Sequence, residues 1–298
     1  MIKAEPRRIA CQLRRAAPAA LLAAVLCLAL PAAPRADDPP RFLRIGTGEA
    51  ASTEFLVGNA LAEVLRAAFA AEACAAPPCP AEPPLPVAQL SSGALANLRD
   101  LEAGRLEAAL VQADVAHLAF TAGGPFAEGP ARVNLRAVAS LYPQALHVVV
   151  LRRGGIGRLE DLRGRRVALG ERGSGTGWAA GRVLAAHGLG RDDLEARDLA
   201  PGLAVERLAA GKLDAVFALG GLPVSAVSAL ADIAEVRLLA VDAGDLEPEA
   251  GDPAFFAAAT VPAGVYRGVG ETATVAVAAQ LLVRADLPDE LVYRLTQS

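Results

Sequence analysis

Apolar residues along this chain recur at two spacings in turn, and the alternation predicts strands and helices that follow one another. The apolar run at 42–46 predicts a short strand. After a loop of small residues, Leu56, Ala60 and Val64 recur at helical spacing and predict a helix over about residues 54–71. A strand, a small-residue loop with a glycine and a helix therefore form the first unit of the chain.

The same alternation continues to the end of the sequence. Further strands are predicted at 86–90, within 105–112, and at 135–141, 146–151, 165–170, 212–219, 236–241 and 274–283. Further helices are predicted at 94–103, 114–121, 178–187, 192–197, 201–210 and 225–234, and from 287 onwards. Alternating strands and helices favour an α/β fold with mostly parallel sheets.

A glycine-rich loop in the middle of the chain is the strongest candidate for a binding site. It spans 171–177 between a buried strand and a helix; Ser174 or Thr176 is expected to cap that helix, and Gly188 to end it. Such a loop presents free N–H groups and the positive end of a helix dipole to a carboxylate or a phosphate. It has neither the lysine of a P-loop nor the dinucleotide fingerprint. The alternative is a tight turn without a ligand.

Two five-residue segments repeat one pattern at equivalent places in the chain. Residues 104–108 and 211–215 both read glycine, basic residue, leucine, acidic residue, alanine, and both join a predicted helix to a buried strand. The repetition predicts two α/β lobes of similar build. Ligands of such sheets bind outside the carboxyl ends of the strands. Two facing lobes would therefore enclose one cleft that closes on a small ligand.

The N-terminal segment has the composition of a secretory signal. Basic residues precede an apolar run at 16–33, and small residues with prolines follow through Ala36. We expect residues 1–36 to be a cleaved signal peptide and the protein to be periplasmic. The alternatives are a membrane anchor, which the prolines in the short run disfavour, and a lipoprotein attached through Cys27.

Charge and chemistry narrow the possible functions. Removing residues 1–36 takes away six basic residues and one acidic residue, which leaves 23 basic and 32 acidic residues and a net charge of −9. An acidic protein is a poor candidate for binding nucleic acid or anionic membranes.

Cys74 and Cys79 are expected to form a local disulfide in an oxidising compartment. The sequence shows no catalytic motif and no clustered metal ligands, so we expect no enzyme activity, no metal and no cofactor.

The mature region resembles the TAXI-type solute-binding subunit of tripartite ATP-independent periplasmic (TRAP) transporters. The segments that carry the resemblance occur in one order along the chain. They are Ile45-Gly46-Thr47-Gly48, Ser92-Gly93 with Asn97, the segments 110–114, 135–143 and 159–167, Gly173-Ser174-Gly175-Thr176, and the segments 211–215, 260–266 and 285–288. The four residues 173–176 are the most specific of these segments.

The resemblance implies a two-lobed periplasmic-binding-protein-like fold with a ligand cleft between hinged lobes. We expect residues 41–141 plus about 275–298 to form one lobe and residues 142–274 the other. It also implies a monomer that captures a small carboxylate-bearing solute, such as an amino acid, a dicarboxylate or a related organic anion, and delivers it to an integral membrane permease of the TRAP type. The alternative is a periplasmic sensory module. The family usually continues past the last helix, so the end at Ser298 is expected to leave the chain short.

The expected ligand-binding residues lie in the loops after the strands. They are Thr47, Gly48, Thr53, Glu54, Ser91, Ser92, Gln112, Arg172, Ser174, Gly175, Thr176 and Gly221. Glu54 stands where the family usually has an aromatic residue. Arg172 is expected to hold a ligand carboxylate in a two-pronged contact, and Glu54 to pair with a ligand ammonium. The alternative for this pair is two solvated surface charges.

Overall fold

Strands and α-helices alternate through residues 42–72, 84–246 and 254–297, which the computed structural model describes. The strands are β1 (Phe42–Gly46), β2 (Leu85–Gln89), β3 (Ala108–Gln112), β4 (Leu135–Leu151), β5 (Arg166–Ala168), β6 (Glu195–Arg197), β7 (Ala215–Gly220), β8 (Val236–Leu238), β9 (Ala257–Val261) and β10 (Thr272–Arg284). The helices are α1 (Thr53–Glu72), α2 (Ala94–Glu102), α3 (Ala113–Thr121), α4 (Gly175–Ala186), α5 (Pro201–Ala209), α6 (Ser225–Ile233) and α7 (Asp289–Gln297). The expected signal peptide and the Cys74–Cys79 disulfide lie outside the described residues.

All of these strands belong to one sheet with two similar halves. Its main order is β2-β1-β3-β10-β4-β7-β5-β6, with β8 added to β4 and β9 added to β10. The first half contains the parallel set β2-β1-β3 and the second half the parallel set β6-β5-β7. The long antiparallel strands β4 and β10 lie between the two sets and run through both halves. The alternation predicted mostly parallel pairing, and each half has a three-stranded parallel set, but β4, β8, β9 and β10 pair only antiparallel, so five of the nine strand pairs between described strands are antiparallel.

Helices cover both faces of each half, which explains why the central parallel strands β3 and β7 are apolar along most of their length. In β3, Ala108 and Leu110 belong to the core on the α1 side, whereas Ala109 and Val111 belong to the core on the α2 side. Successive side chains point to opposite faces of a strand. A strand that is covered on both faces must therefore be apolar at every position, and β3 and β7 are buried along their whole lengths.

The five-residue repeat adopts the same structure in both halves. Gly104 and Gly211 have φ of 70° and 68° and end α2 and α5 in the left-handed conformation that glycine favours. The acidic residue of each repeat then binds an arginine on the neighbouring strand. Glu107 accepts hydrogen bonds from the backbone N–H and the guanidinium of Arg44. Asp214 accepts the equivalent hydrogen bonds from Arg166. The repetition seen in the sequence thus extends to the hydrogen bonds.

Two predicted elements differ from the structure. The separate strands at 135–141 and 146–151 are one strand, β4, which continues through Pro143. At Pro143 the strand pairs only with β10, because its pairing with β7 begins at Ala145. A proline is tolerated in a sheet where one side of the strand is unpaired.

The helix predicted at 192–197 is also wrong. The chain forms a 3₁₀ turn at Arg191–Asp193, followed by the edge strand β6. Six residues are too few for a stable helix. Parallel pairing with β5 supplies backbone hydrogen bonds instead, including Glu195 N–H to Arg165 O at 2.8 Å.

None of the helices within residues 42–72, 84–246 and 254–297 is both long enough and apolar enough to cross a bilayer.

Candidate functional site

A cavity of about 50 Å³ lies between the two halves of the sheet. Its walls come from the carboxyl ends of parallel strands in both halves and from the loops after them, where an α/β sheet binds its ligands. The lining residues are Thr47, Gly48, Glu49, Ser52, Glu54, Ser92, Gly93, Ala94, Leu110, Val111, Gln112, Gln144, Gly170, Glu171, Ser174, Gly175, Thr176, Pro201 and Leu219.

The structure brings eight of the twelve expected ligand-binding residues into this lining. They are Thr47, Gly48, Glu54, Ser92, Gln112, Ser174, Gly175 and Thr176. They come from both halves of the sheet, so strand-end position was a useful guide to the cavity. The other four, Thr53, Ser91, Arg172 and Gly221, lie around it.

Arg172 points away from the cavity into solvent. Its side chain is 85% exposed, and its Nε donates to Asp198 at 2.7 Å. Arg191 donates to the other oxygen of the same carboxylate. In this conformation Arg172 belongs to a surface ion pair and makes no contact with the cavity.

Thr53, Gly221 and Ser91 hold the walls of the cavity together. The Thr53 hydroxyl donates to the Gly221 carbonyl at 3.4 Å, which joins the first half to the second. The Ser91 hydroxyl donates to the Thr47 carbonyl and accepts from the Gly93 amide. These bonds shape the loops after β1 and β2.

Further hydrogen bonds close the mouth of the cavity. Leu95 and Ala96 at the start of α2 donate their amides to the Gly173 carbonyl, at 3.1 and 3.4 Å. The Ser225 hydroxyl donates to the Ala51 carbonyl at 2.6 Å. The two halves of the sheet therefore contact each other beside the cavity, and this arrangement is called the closed form below.

The N-terminus of α4 forms one wall of the cavity. The Ser174 hydroxyl accepts the Gly177 amide at 3.1 Å and donates to the Glu171 carbonyl at 2.7 Å, so it acts as the helix cap that the sequence predicted. Among the described residues, the amides of Gly175 and Thr176 donate no hydrogen bond to the protein. These two N–H groups and the helix dipole leave room for a negatively charged ligand group.

Replacing Ser174 by alanine should lower the free energy of unfolding by about 1 kcal/mol, because the Gly177 amide loses its cap. Urea unfolding monitored by circular dichroism measures the change. Ser228→Ala is the matched control. Ser228 lies inside α6, where alanine is the better helix former, so that variant should be unchanged or slightly more stable. Equal losses in both variants would contradict the capping role.

Gln112 and Gly175 are in unusually close contact across the cavity wall. A Cβ atom on Gly175 would lie 2.0 Å from Gln112 Oε1, so any larger residue there would displace the amide. Gln112 is 6% exposed, and its Oε1 has no hydrogen-bond partner among the described residues. A buried acceptor without a partner costs about 1–3 kcal/mol. A ligand with an N–H or O–H donor would remove that cost.

Three carboxyl groups, those of Glu49, Glu54 and Glu171, line the cavity. Burial raises the pKa of Glu49 to about 7, and the nearby negative charges of Glu171 and Glu54 add to the rise. Burial also raises the pKa of Glu54, although hydrogen bonds from its own backbone and from Ser52 and Gln144 oppose the shift. Among the described lining residues, none is lysine, arginine or histidine.

Sequence reasoning missed two of these carboxylates and one amide of the lining. Glu49 and Glu171 each directly follow a glycine at the end of a parallel strand, Gly48 after β1 and Gly170 after β5. That shared position was a signal that could have identified both. Gln144 was missed because the sequence predicted a break between two strands at that point.

Comparisons with known proteins agree with the topology. The NMT1-like family matches residues 45–298. The alkanesulfonate-binding protein SsuA from Xanthomonas axonopodis pv. citri, bound to MOPS, is 22% identical with a TM-score of 0.53; the match covers 87% of this chain and 73% of SsuA. PhnD1 from Prochlorococcus marinus (MIT 9301), in complex with methylphosphonate, is 10% identical with a TM-score of 0.55, over 87% of this chain and 83% of PhnD1.

A third solved structure shares the architecture. It is an ancestral arginine-binding protein bound to arginine, 15% identical with a TM-score of 0.50, and the match covers 87% of this chain and 91% of that protein. At these identities the likeness establishes the fold alone. It confirms the predicted two-lobed, periplasmic-binding-protein-like α/β fold. Because the family match extends over most of the sequence, the chain belongs to the NMT1-like family.

Proposed function

We propose that this protein is an extracytoplasmic solute-binding protein. It captures a small carboxylate-bearing solute, such as an amino acid, a dicarboxylate or a related organic anion, between two lobes. The lobes comprise residues 41–141 plus about 275–298, and residues 142–274. The observation that carries the proposal is the cavity itself, which is enclosed by strand-end loops from both halves of one sheet.

The N-terminus of α4 supports the carboxylate in this proposal. The free amides of Gly175 and Thr176 suit a carboxylate oxygen, and the cap formed by Ser174 keeps the first turn in place. A ligand can enter only if the contacts at the cavity mouth open. The bonds at Gly173, Gly221 and Ser225 would therefore break and form again in each binding cycle.

A binding function, without catalysis, is part of the same proposal. The Ser174 hydroxyl, which lies in the glycine-rich loop, already donates to Glu171 O and accepts from Gly177 N. Activation of a serine needs an adjacent base within hydrogen-bond reach. Its hydroxyl proton is directed at a backbone carbonyl, which is no base.

The binding proposal is tested by thermal unfolding of the purified protein with panels of amino acids, dicarboxylates, 2-oxoacids and short fatty acids. A ligand that binds only the native state adds about 2.7 kcal/mol at a hundredfold excess over its dissociation constant. We expect one chemical class to raise the unfolding midpoint. A folded protein that responds to no compound in any panel would contradict the proposal.

Gly175→Ala links that response to the cavity. The new Cβ would collide with Gln112 Oε1 at 2.0 Å and push the amide into the ligand space, so the ligand-induced shift should disappear. The unliganded protein should lose no more than about 1 kcal/mol, because the end of a glutamine side chain can move. Gly181→Ala is the matched control on α4. Nothing lies within 4 Å of its new Cβ, and the full ligand response should remain.

The proposal also includes the partner and the location of the protein. After cleavage of residues 1–36, the protein acts as a monomer in the periplasm and delivers the solute to a TRAP-type permease. The order of TAXI-like segments supports it, and 173–176, the most specific of them, forms the start of α4 at the cavity wall. Uptake of the identified ligand can be measured in membrane vesicles from the source cells, supplied with this protein. Uptake that stops when the ion gradient is collapsed, with ATP still present, supports a TRAP partner. Uptake that requires ATP contradicts it.

A further inference from the structure

The cavity combines three carboxylates with a lining that contains no basic side chain among the described residues. Glu49 follows β1, Glu54 lies in the first turn of α1, and Glu171 follows β5. The negative charges thus come from both halves of the sheet and meet in the closed form. Within the described chain, no group of three or more His, Cys, Asp or Glu is arranged to hold a metal ion. These carboxylates offer acceptors to a cationic group of a ligand.

A second observation points to a hydrogen-bond donor in the same place. Gln112 is 6% exposed and Gln144 is 1% exposed, both line the cavity, and neither Oε1 has a hydrogen-bond partner in the described part of the chain. Gln144 Nε2 donates to Glu54 Oε1, which fixes the orientation of that amide and leaves its oxygen as the open acceptor. Both unsatisfied atoms are therefore acceptors, and a ligand N–H would satisfy them.

We propose that the carboxylates that line the cavity bind an ammonium group of the ligand. This inference rests on the proposed function and narrows it to amino-acid-like zwitterions, with dicarboxylates excluded. An ammonium group offers three donors. The carboxylates of Glu49 and Glu54 and the oxygen of Gln112 are acceptors of the matching kind, while the amides of Gly175 and Thr176 are left for the ligand carboxylate.

The volume of the cavity sets the size of the ligand. One water needs roughly 10–15 Å³ of such volume, so the closed form has room for about four water molecules. That space suits a ligand of a few non-hydrogen atoms. L-Alanine, propionate and ethylamine form a matched set of this size, because propionate lacks the ammonium of alanine and ethylamine lacks its carboxylate.

Ammonium binding should depend on pH in a defined direction. Glu49 faces Glu54 of α1 and Glu171 of the loop after β5, and its pKa is raised to about 7. Below pH 7 it carries a proton that must leave before it can pair with a cation. Affinity should therefore rise with pH by up to tenfold per unit up to about pH 7, and binding at pH 6 should release protons. If the ligand carried a second carboxylate in place of the ammonium, it would bind the protonated glutamates better. Its affinity would then fall as the pH rises.

Isothermal titration calorimetry of the purified protein at pH 6 and pH 8 tests the proposal. We expect L-alanine and ethylamine to bind and propionate to give no heat. At pH 6, the heat should vary with the ionisation enthalpy of the buffer because protons are released. Glu54→Gln should weaken the binding of both amines at least tenfold. Glu206→Gln, on the exposed surface of α5, should leave both affinities within twofold.

The possible outcomes separate this inference from the proposed function. Binding of propionate or malonate without binding of either amine would overturn the ammonium site and leave solute binding intact. Amine binding that Glu54→Gln does not weaken would also overturn it. If no compound in this set or in the wider panels bound to the folded protein, both the inference and the proposed function would fail.

Discussion

Replacing Glu107 by alanine should lower the free energy of unfolding by about 3–4 kcal/mol. The Glu107 side chain is 4% exposed and accepts three hydrogen bonds from Arg44, one from its backbone amide and two from its guanidinium. Removing one partner of a buried pair costs about 3–5 kcal/mol, since the other charge loses its compensation. The Arg44 side chain is 38% exposed, so water recovers part of the loss.

The five-residue repeat supplies the matched control for this prediction. Asp214 makes the same three bonds to Arg166, but its side chain is 23% exposed. Asp214→Ala should therefore cost less, about 2 kcal/mol. The Asp286 side chain is 54% exposed in its pair with Arg284, so Asp286→Ala should lower the free energy of unfolding by less than about 1 kcal/mol. Urea unfolding of the three alanine variants gives the order directly. A loss at Glu107 no larger than at Asp286 would contradict a structural role for the repeat.

This repeat also shows what the sequence reveals reliably. The pattern of glycine, basic residue, leucine, acidic residue and alanine is local, and the left-handed glycine and the following buried strand follow from it without tertiary information. The arginines that the acids bind lie 63 and 48 residues away along the chain. The sequence suggested two similar units, while the partners of Glu107 and Asp214 emerged only once β1 paired with β3 and β5 with β7.

The incorrect predictions from the sequence also have local causes. Pro143 looks like a break because proline usually interrupts a strand, and only the sheet order shows that β4 is unpaired on one side there. Arg172 was chosen for the site although its neighbour Glu171 lines the cavity. The glycine-rich pattern placed the loop at the cavity, but it does not determine which of two adjacent side chains points inward.

The charge of the cavity could not be predicted from any single segment. Glu49, Glu54 and Glu171 come from separate loops and a helix, and they meet only because the two halves of the sheet close on each other. The glycine-rich loop alone favoured an anionic ligand because of the start of α4. The assembled cavity adds the carboxyl groups of Glu49 and Glu54 from the other half of the sheet, so the fold brings donors and acceptors together in one small space.

Replacing Glu49 by glutamine should raise the free energy of unfolding of the unliganded protein by about 2 kcal/mol at pH 8. The folded pKa of about 7 exceeds the ordinary value of 4.5, so the folded state holds the proton more tightly than the unfolded state. The resulting stability is fully present below pH 4.5 and is lost as the pH rises through 7. The full difference between the folded and ordinary pKa values of Glu49 corresponds to roughly 3.4 kcal/mol of stability. Solvent screening of a half-buried carboxyl reduces it to about 2 kcal/mol.

The pH dependence of the difference between the two proteins separates this effect from other titrations. Burial lowers the pKa of His147 to about 4 and raises that of Asp114 to about 6, and both groups act equally in wild type and variant. The gain from Glu49→Gln should be about 2 kcal/mol at pH 8 and close to zero at pH 4, where Glu49 is protonated and resembles glutamine. Urea unfolding across this range, with Glu206→Gln as the exposed control, measures it.

A gain that is confined to high pH would mean that the unliganded protein keeps Glu49 at a cost in stability. A carboxylate that destabilises the closed form yet lines its cavity is explained by a ligand cation that restores the balance when it binds. Saturating ligand should then stabilise the wild type more than Glu49→Gln at pH 8. If the variant were less stable than the wild type at pH 8, Glu49 would be stabilised by contacts within the protein itself, and the cavity would need no cation from the ligand at this position.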